Sequence, residues 1–247
     1  MSIDLKKLLN TYDFQTILPG SKEKVSFKPI TTGVMKKVLV YENEENIETL
    51  DNFLDDLISN CVISENFDIN KLYLQDRFFL LVEIRKKSKG NMFKFNYKCP
   101  KCDVESIIAV DLSKLPVNDM KTETDIVKIN DNISLVLKHL TRQNQKDAFA
   151  AISEDLPLNT RLAEIATYSY ALAIDKVISG EEEDSNVPIE DKIYMLDSLD
   201  QDTYDNILNW FENNNFGLDF TYKFKCKNPD CKSEEKEINI PITNFFA

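Results

Sequence analysis

The chain has 247 residues, 43% of them hydrophobic, enough for a substantial core in one large domain or two small ones. Its 42 acidic side chains outnumber 30 basic ones, and the resulting charge of -12 repels phosphate backbones and anionic lipid, which argues against nucleic acid or a membrane surface as the default partner. No apolar run approaches the roughly 18 to 20 residues of a membrane-spanning helix, "MSIDLKKLLNTYDF" lacks a signal-peptide core, and five cysteines read as reduced thiols of a soluble intracellular protein.

The first regular pattern is "VSFKPITTGVMKKVL" (25–39), an alternating strand running into Thr31, whose hydroxyl suits the N-cap of a helix over 32–43. Helices follow over 46–61 and 71–88, the second carrying Leu74, Phe78, Leu81 and Arg85 at helical spacing. Within them Asp51, Asp55 and Asp56 read as a solvated helix face, and Cys61 as a core thiol. Next, "GNMFKFNYKC" alternates Phe93, Phe95 and Tyr97 with Lys94 and Asn96, the mark of a strand with one buried face. Cys99 and Cys102 then form a knuckle, and Ile108, Val110 and Leu112 mark a return strand.

Beyond the polar link "VNDMKTETD" the order repeats. "SLVLKHLTRQNQKDAF" (134–149) places Lys138, Leu140 and Thr141 where Lys28, Ile30 and Thr31 stand, at an offset of 110. The single histidine, His139, has no Cys/His or Ser/His/Asp company and reads as structural. Helices are expected over 142–152, over 159–179 with Leu162, Ile165, Ala166, Tyr170, Ala173 and Val177 on one face, and over 189–214 with Tyr204, Ile207, Leu208 and Phe211. "LQD" at 74–76 and "LDQD" at 199–202 open the last helix of each half. The acidic stretch "SGEEEDSNVP" (179–188) reads as a solvated loop inserted in the second half, with a docking site for a basic partner as the alternative. Finally "GLDFTYKFKC" sets Gly217 nine positions before Cys226, as Gly90 precedes Cys99, and Phe220, Tyr222 and Phe224 repeat the aromatic triplet at an offset of 127. After Cys231, Ile238, Ile240 and Ile242 alternate, and "PITNFFA" is either an anchor or the end of the last strand. The expectation is an α+β fold by internal duplication, with halves 14–118 and 124–247, each bearing strands, a helical cluster and a Cys-tipped hairpin, standing as two domains or as one compact unit joined through a metal.

Two thiolates do not close a tetrahedral site, so the missing ligands of Cys99 and Cys102 are sought in the second knuckle, Cys226 and Cys231. Four thiolates would hold one structural zinc ion in a zinc-ribbon-like arrangement with no coordination position left for water or substrate. Ordinary reduced thiols at two hairpin tips, or separate sites completed by Asp103 and Asp230, are the alternatives. With five glycines and no Gly-rich phosphate loop, the chain offers no convincing active site, and no small-molecule substrate is expected. An open zinc acting as Lewis acid is the weakest reading. The 15 Phe and 9 Tyr can serve both a core and an interface.

Taken together, "TILPGSKEKVSFKPITTGVMKKVLVYENEEN" and "LQDRFFLLVEIRKKSKGNMFKFNYKCPKC" resemble the baseplate hub proteins of T-even-like contractile-tailed bacteriophages. The resemblance rests on the order of a short "LP" strand, a "VSFKP" strand running into a helix, a helix ending "IRKKSKG", and a strand with a Cys knuckle, and it spans most of 14–118. It implies a non-catalytic structural or assembly protein of the central baseplate hub, acting in the host cytoplasm through contacts with other hub and tail proteins, with the virion tail baseplate as the expected destination and an assembly factor that leaves as the alternative. The competing class is a zinc-ribbon adaptor for nucleic acid or a polymerase, which the lysines around the hairpins (Lys86, Lys87, Lys89, Lys94, Lys98, Lys101, Lys223, Lys225, Lys227, Lys232) keep open.

Overall fold

Residues 13–38, 46–231 and 234–241 are described in the computed structural model. A short hairpin opens the fold, Phe14–Ile17 (β1) against Lys24–Phe27 (β2), and its turn is tied to a helix rather than left to solvent. Asp76, fully buried, accepts the backbone N–H groups of Gly20 at 2.7 Å and Ser21 at 2.8 Å. Gly20 is required there because a Cβ would lie 2.5 Å from the Phe216 ring. After Thr32–Val38 (α1), Asn46 caps Ile47–Cys61 (α2) by accepting the Thr49 amide. The remainder of the expected 32–43 helix, and "PITNFFA" beyond Pro241, lie outside the described residues.

Leu74–Lys89 (α3) is the spine of the molecule, with Asp76, Arg77, Phe79, Leu80, Leu81, Val82, Ile84 and Arg85 all buried. Its last turn feeds Met92–Lys98 (β3), which pairs with Glu105–Asp111 (β4) in the expected alternation, Phe93 and Phe95 inward. Arg85 holds the corner by donating to the carbonyls of Gly90 and Met92. The polar link is structured at both ends. Val117–Asn118 (β5) pairs with Gly217–Leu218 (β10), and Thr124–Lys128 (β6) begins a four-stranded antiparallel sheet with Ile133–Lys138 (β7), Ile174–Ser179 (β8) and Glu182–Asp184 (β9).

Thr141 caps Arg142–Ala151 (α4) through a capping box with Asn144, as its position after the strand predicted. Two expected helices are shorter than their patterns. The one over 159–179 stops as Leu158–Ala173 (α5), because Ile174, Val177 and Ile178 are β-branched and take strand pairing along β7, so Val177 faces Leu135 in the sheet. The acidic stretch is accordingly a hairpin turning at Gly180 (φ 63°), with Glu182–Asp184 as an exposed edge strand. The helix over 189–214 divides into Ile189–Asp197 (α6) and Gln201–Asn213 (α7), because Asp200 caps a new start by accepting the Thr203 amide. Thr221–Phe224 (β11) and Lys236–Asn239 (β12) form the last hairpin.

Asp51 and Asp55 are not a solvated face. Only Asp56 is exposed; the other two point into a buried ionic network. Asp55 receives Arg77 Nε at 2.7 Å on one oxygen and Arg142 Nε at 2.8 Å on the other, with Lys146 Nζ at 3.1 Å. Asp51 receives Arg77 Nη1 at 2.9 Å and Gln145 Nε2 at 3.0 Å. Both arginines are 1% exposed, and the network joins α2 and α3 to α4, in the other half of the chain. Beside it, Leu74 N–H donates to Leu140 O and Arg142 N–H to Leu72 O, a one-rung contact between the halves.

The largest core cluster gathers β1 to β4, α2 and α3, and takes in Phe224 and Ile240 from the C-terminal hairpin. A second surrounds Val127, Leu135, Leu137, Ile174, Ile207 and Trp210. Charge follows this division: residues 119–216 carry 20 acidic and 8 basic side chains, whereas 1–118 balance at 17 of each and 217–247 at 5 of each. His139, 3% exposed, sits between Trp210 and Phe216 with ring centroids at 5.1 and 4.9 Å, and donates from Nε2 to Thr122 O.

Two outcomes follow from these buried polar groups. Arg142→Ala removes one of the three cationic donors around the buried Asp55 and should cost about 3–5 kcal/mol in urea unfolding, against a negligible change if the network were solvated. Burial lowers the His139 pKa below its ordinary 6.5. The unfolded chain therefore takes up that proton first, so this group's contribution is complete above pH 6.5 and falls away below it. His139→Phe should lose less stability than the parent between about pH 7 and pH 5, read as the difference in unfolding midpoints.

Candidate metal centre

Each knuckle is built by a hairpin whose strands are long enough to project its tip. In the first, the Cys99 N–H donates to Val104 O at 3.0 Å and the Asp103 N–H to Cys99 O at 2.9 Å, closing a turn in which Asp103 takes a left-handed φ of 57°. In the second, Asn228 shapes the looser spacing. Its side chain accepts the Asp230 amide at 3.1 Å and its carbonyl the Cys231 amide at 3.0 Å, an Asx turn around Pro229.

The two hairpins lie against each other through Tyr97 and Phe224, ring centroids 4.7 Å apart, which brings the tips together. Cys99, Cys102, Cys226 and Cys231 converge, all four Sγ atoms lying within 4.8 Å of one another. Cys99 Sγ is 3.9 Å from Cys231 Sγ, and Cys102 Sγ 3.6 Å from Cys226 Sγ. Metal–sulfur bonds of about 2.3 Å at tetrahedral angles require sulfur–sulfur edges of about 3.8 Å. The two separations across the hairpins, 3.9 and 3.6 Å, bracket that edge, and the four thiols are free of disulfide bonds. Cys99 is buried and the other three are half-buried, so the cluster is shielded yet reachable.

The electrostatics also suit a cation. The Lys101 backbone N–H, assisted by that of Cys102 and by donation from neighbouring thiols, pulls the Cys99 thiol down to about 6. The Asn228 amide plays the matching part at Cys226, yet burial and the surrounding sulfurs push that thiol up to about 12. The Cys99 thiolate forms readily while ionisation of Cys226 is resisted, a conflict that a divalent cation among the sulfurs would relieve.

The remaining candidates are elsewhere. Cys61 is 1% exposed in the core, and burial raises its thiol to about 11, the reverse of an activated nucleophile. His139 lies in its aromatic nest and Asp51 and Asp55 in their ionic network, so neither joins the sulfurs. Among the described residues this is the cluster of His, Cys, Asp or Glu side chains that could hold a metal ion. A family described as T4 bacteriophage base plate protein matches residues 9–247 of the chain. Neither a curated protein nor a solved structure matches it.

Cys102→Ser removes one corner of the tetrahedron. The expected outcome is loss of bound metal by elemental analysis and a lowered melting temperature equal to that of chelator-treated parent, since a four-thiolate site supplies on the order of 10 kcal/mol in small peptides. An unchanged melting temperature would show that the sulfurs hold nothing.

Proposed function

The chain belongs to the T4 bacteriophage base plate protein family, and on that premise we propose that it is a non-catalytic structural or assembly protein of the baseplate hub, built from two similar halves clasped by one structural zinc ion. Membership along almost the whole chain carries the reading, because it makes contact with other phage tail proteins the expected work of this surface.

Several features support the finer parts. A set of four sulfurs satisfies zinc completely and leaves no position for a substrate. The order of a capped helix after a strand pair, further helices and a Cys-tipped hairpin occurs on both sides of residue 120, with β8, β9 and α6 as the extra elements of the second half. Thr31 and Thr141 cap corresponding helices, and Lys101 and Asn228 offer amides to corresponding sulfurs. These similarities favour halves of 14–118 and 124–247. Because Phe224 and Ile240 share a core with the first half, the two work as one unit joined through the metal.

The protein would meet its partners in the host cytoplasm during assembly and remain in the virion tail. The test is affinity capture from infected-cell lysate, with a tag in the exposed β8–β9 turn, beside quantitative mass spectrometry of finished particles. Hub proteins in the capture and a fixed small copy number in particles are expected; capture with tail proteins but absence from particles would make the chain an assembly factor only. Co-capture of polymerase, or retention on DNA at low salt beyond that of a protein of equal charge, would replace the reading with the adaptor alternative.

A further inference from the structure

We infer that the four-sulfur cluster is also an oxidation site, whose products are two disulfides that bind the hairpins to each other, Cys99 to Cys231 and Cys102 to Cys226. The pairs at 3.9 and 3.6 Å each span the two hairpins and together use every sulfur once. A disulfide needs about 2.05 Å between sulfurs, so each pair must close by less than 2 Å, within reach of side-chain rotation at the hairpin tips.

A hydroperoxide supplies the oxidising equivalents. The half-buried Cys231 thiolate attacks a hydrogen peroxide oxygen, the O–O bond breaks, and a sulfenic acid and hydroxide form, the hydroxide taking up the proton released by the thiol to become water. Cys99 then displaces water from that sulfur, forming the S–S bond. Cys102 and Cys226 repeat the sequence with a second peroxide. Overall, four thiols and two hydrogen peroxide molecules become two disulfides and four water molecules. Any metal held by the thiolates is released, because disulfide sulfur is a poor ligand.

The consequence is that losing the metal by oxidation does not open the clasp. The links span 132 and 124 positions of chain, and long closed loops restrict the unfolded chain most. A tail protein made in a reducing cell and carried outside would exchange one metal-held joint for two covalent ones. This part of the argument uses the proposed location; the pairing itself rests on the sulfur geometry alone.

The test treats full-length protein of known zinc content with two equivalents of hydrogen peroxide, blocks residual thiols, and maps disulfides by mass spectrometry of a non-reduced tryptic digest. Cleavage after Lys98, Lys101, Lys225 and Lys227 puts the four cysteines on four separate peptides, so each pairing is directly readable. Cys99–Cys231 and Cys102–Cys226 products should predominate, with zinc released and the melting temperature of the oxidised protein no longer lowered by chelator. Bonds within a knuckle, exchanged cross-pairs, sulfinic acids as the main product, or retained chelator sensitivity would each overturn the inference. The double variant C99S/C231S keeps the other pair and should form the single Cys102–Cys226 bond; mixed intermolecular dimers instead would count against it. Zinc content measured beforehand separates failure of this inference from failure of the zinc reading.

Discussion

Two buried carboxylates set the terms for the helical centre of this protein. Asp51 and Asp55 have left water, and a charge in that position is tolerated only when its countercharges and hydrogen bonds are all in place. Arg77 comes from the next helix, while Arg142, Gln145 and Lys146 come from α4, far along the chain. The carboxylates therefore fix the angle at which α4 meets α2 and α3, and exclude arrangements in which the halves drift apart. An apolar seam would tolerate sliding; a forked guanidinium between two fixed oxygens does not.

The spine helix transmits that placement. Asp76 and Arg77 at its start hold the first hairpin turn and the ionic network, and Arg85 near its end holds the corner into β3. The first knuckle is thereby placed relative to the second half before any metal is considered. The second hairpin arrives through the β5–β10 pairing and is seated by Phe224, Tyr222 and Ile240 on the first core. The sulfurs then meet because two rigid hairpins have been aimed at one point. A metal bound by such a pre-aimed set would lock an arrangement already favoured by burial.

What could be read without the structure was what neighbouring residues encode together. The aromatic alternation before each knuckle, the Thr caps and the Cys spacings are short-range patterns, and they located both hairpins and the sulfur set. Asp51 and Asp55 were misread because helix periodicity shows only which residues share a face, and their partners lie 22 to 94 positions away. One signal was present. The chain prefers lysine, and its four arginines, Arg77, Arg85, Arg142 and Arg161, all have side chains at most 14% exposed or are buried outright. At Arg77, Arg85 and Arg142 the fork of donors is put to use inside, each guanidinium reaching two or more acceptors. The strand at 174–179 escaped because the helical spacing continues through it, and only the free edge of β7 decides in favour of a sheet.

The last hairpin also bears on when the protein can fold. Residues 224 and 240 complete a core otherwise made by residues before 113, so that core stays open to solvent until residue 240 has left the ribosome. Contacts of such long separation close slowly, and the exposed faces of β3, β4 and α3 would be adhesive in the meantime. A chain interrupted before residue 224 would present the first core unsealed. Quality control would have a plain target in such a fragment, and only copies extended past residue 240 would hide that apolar surface.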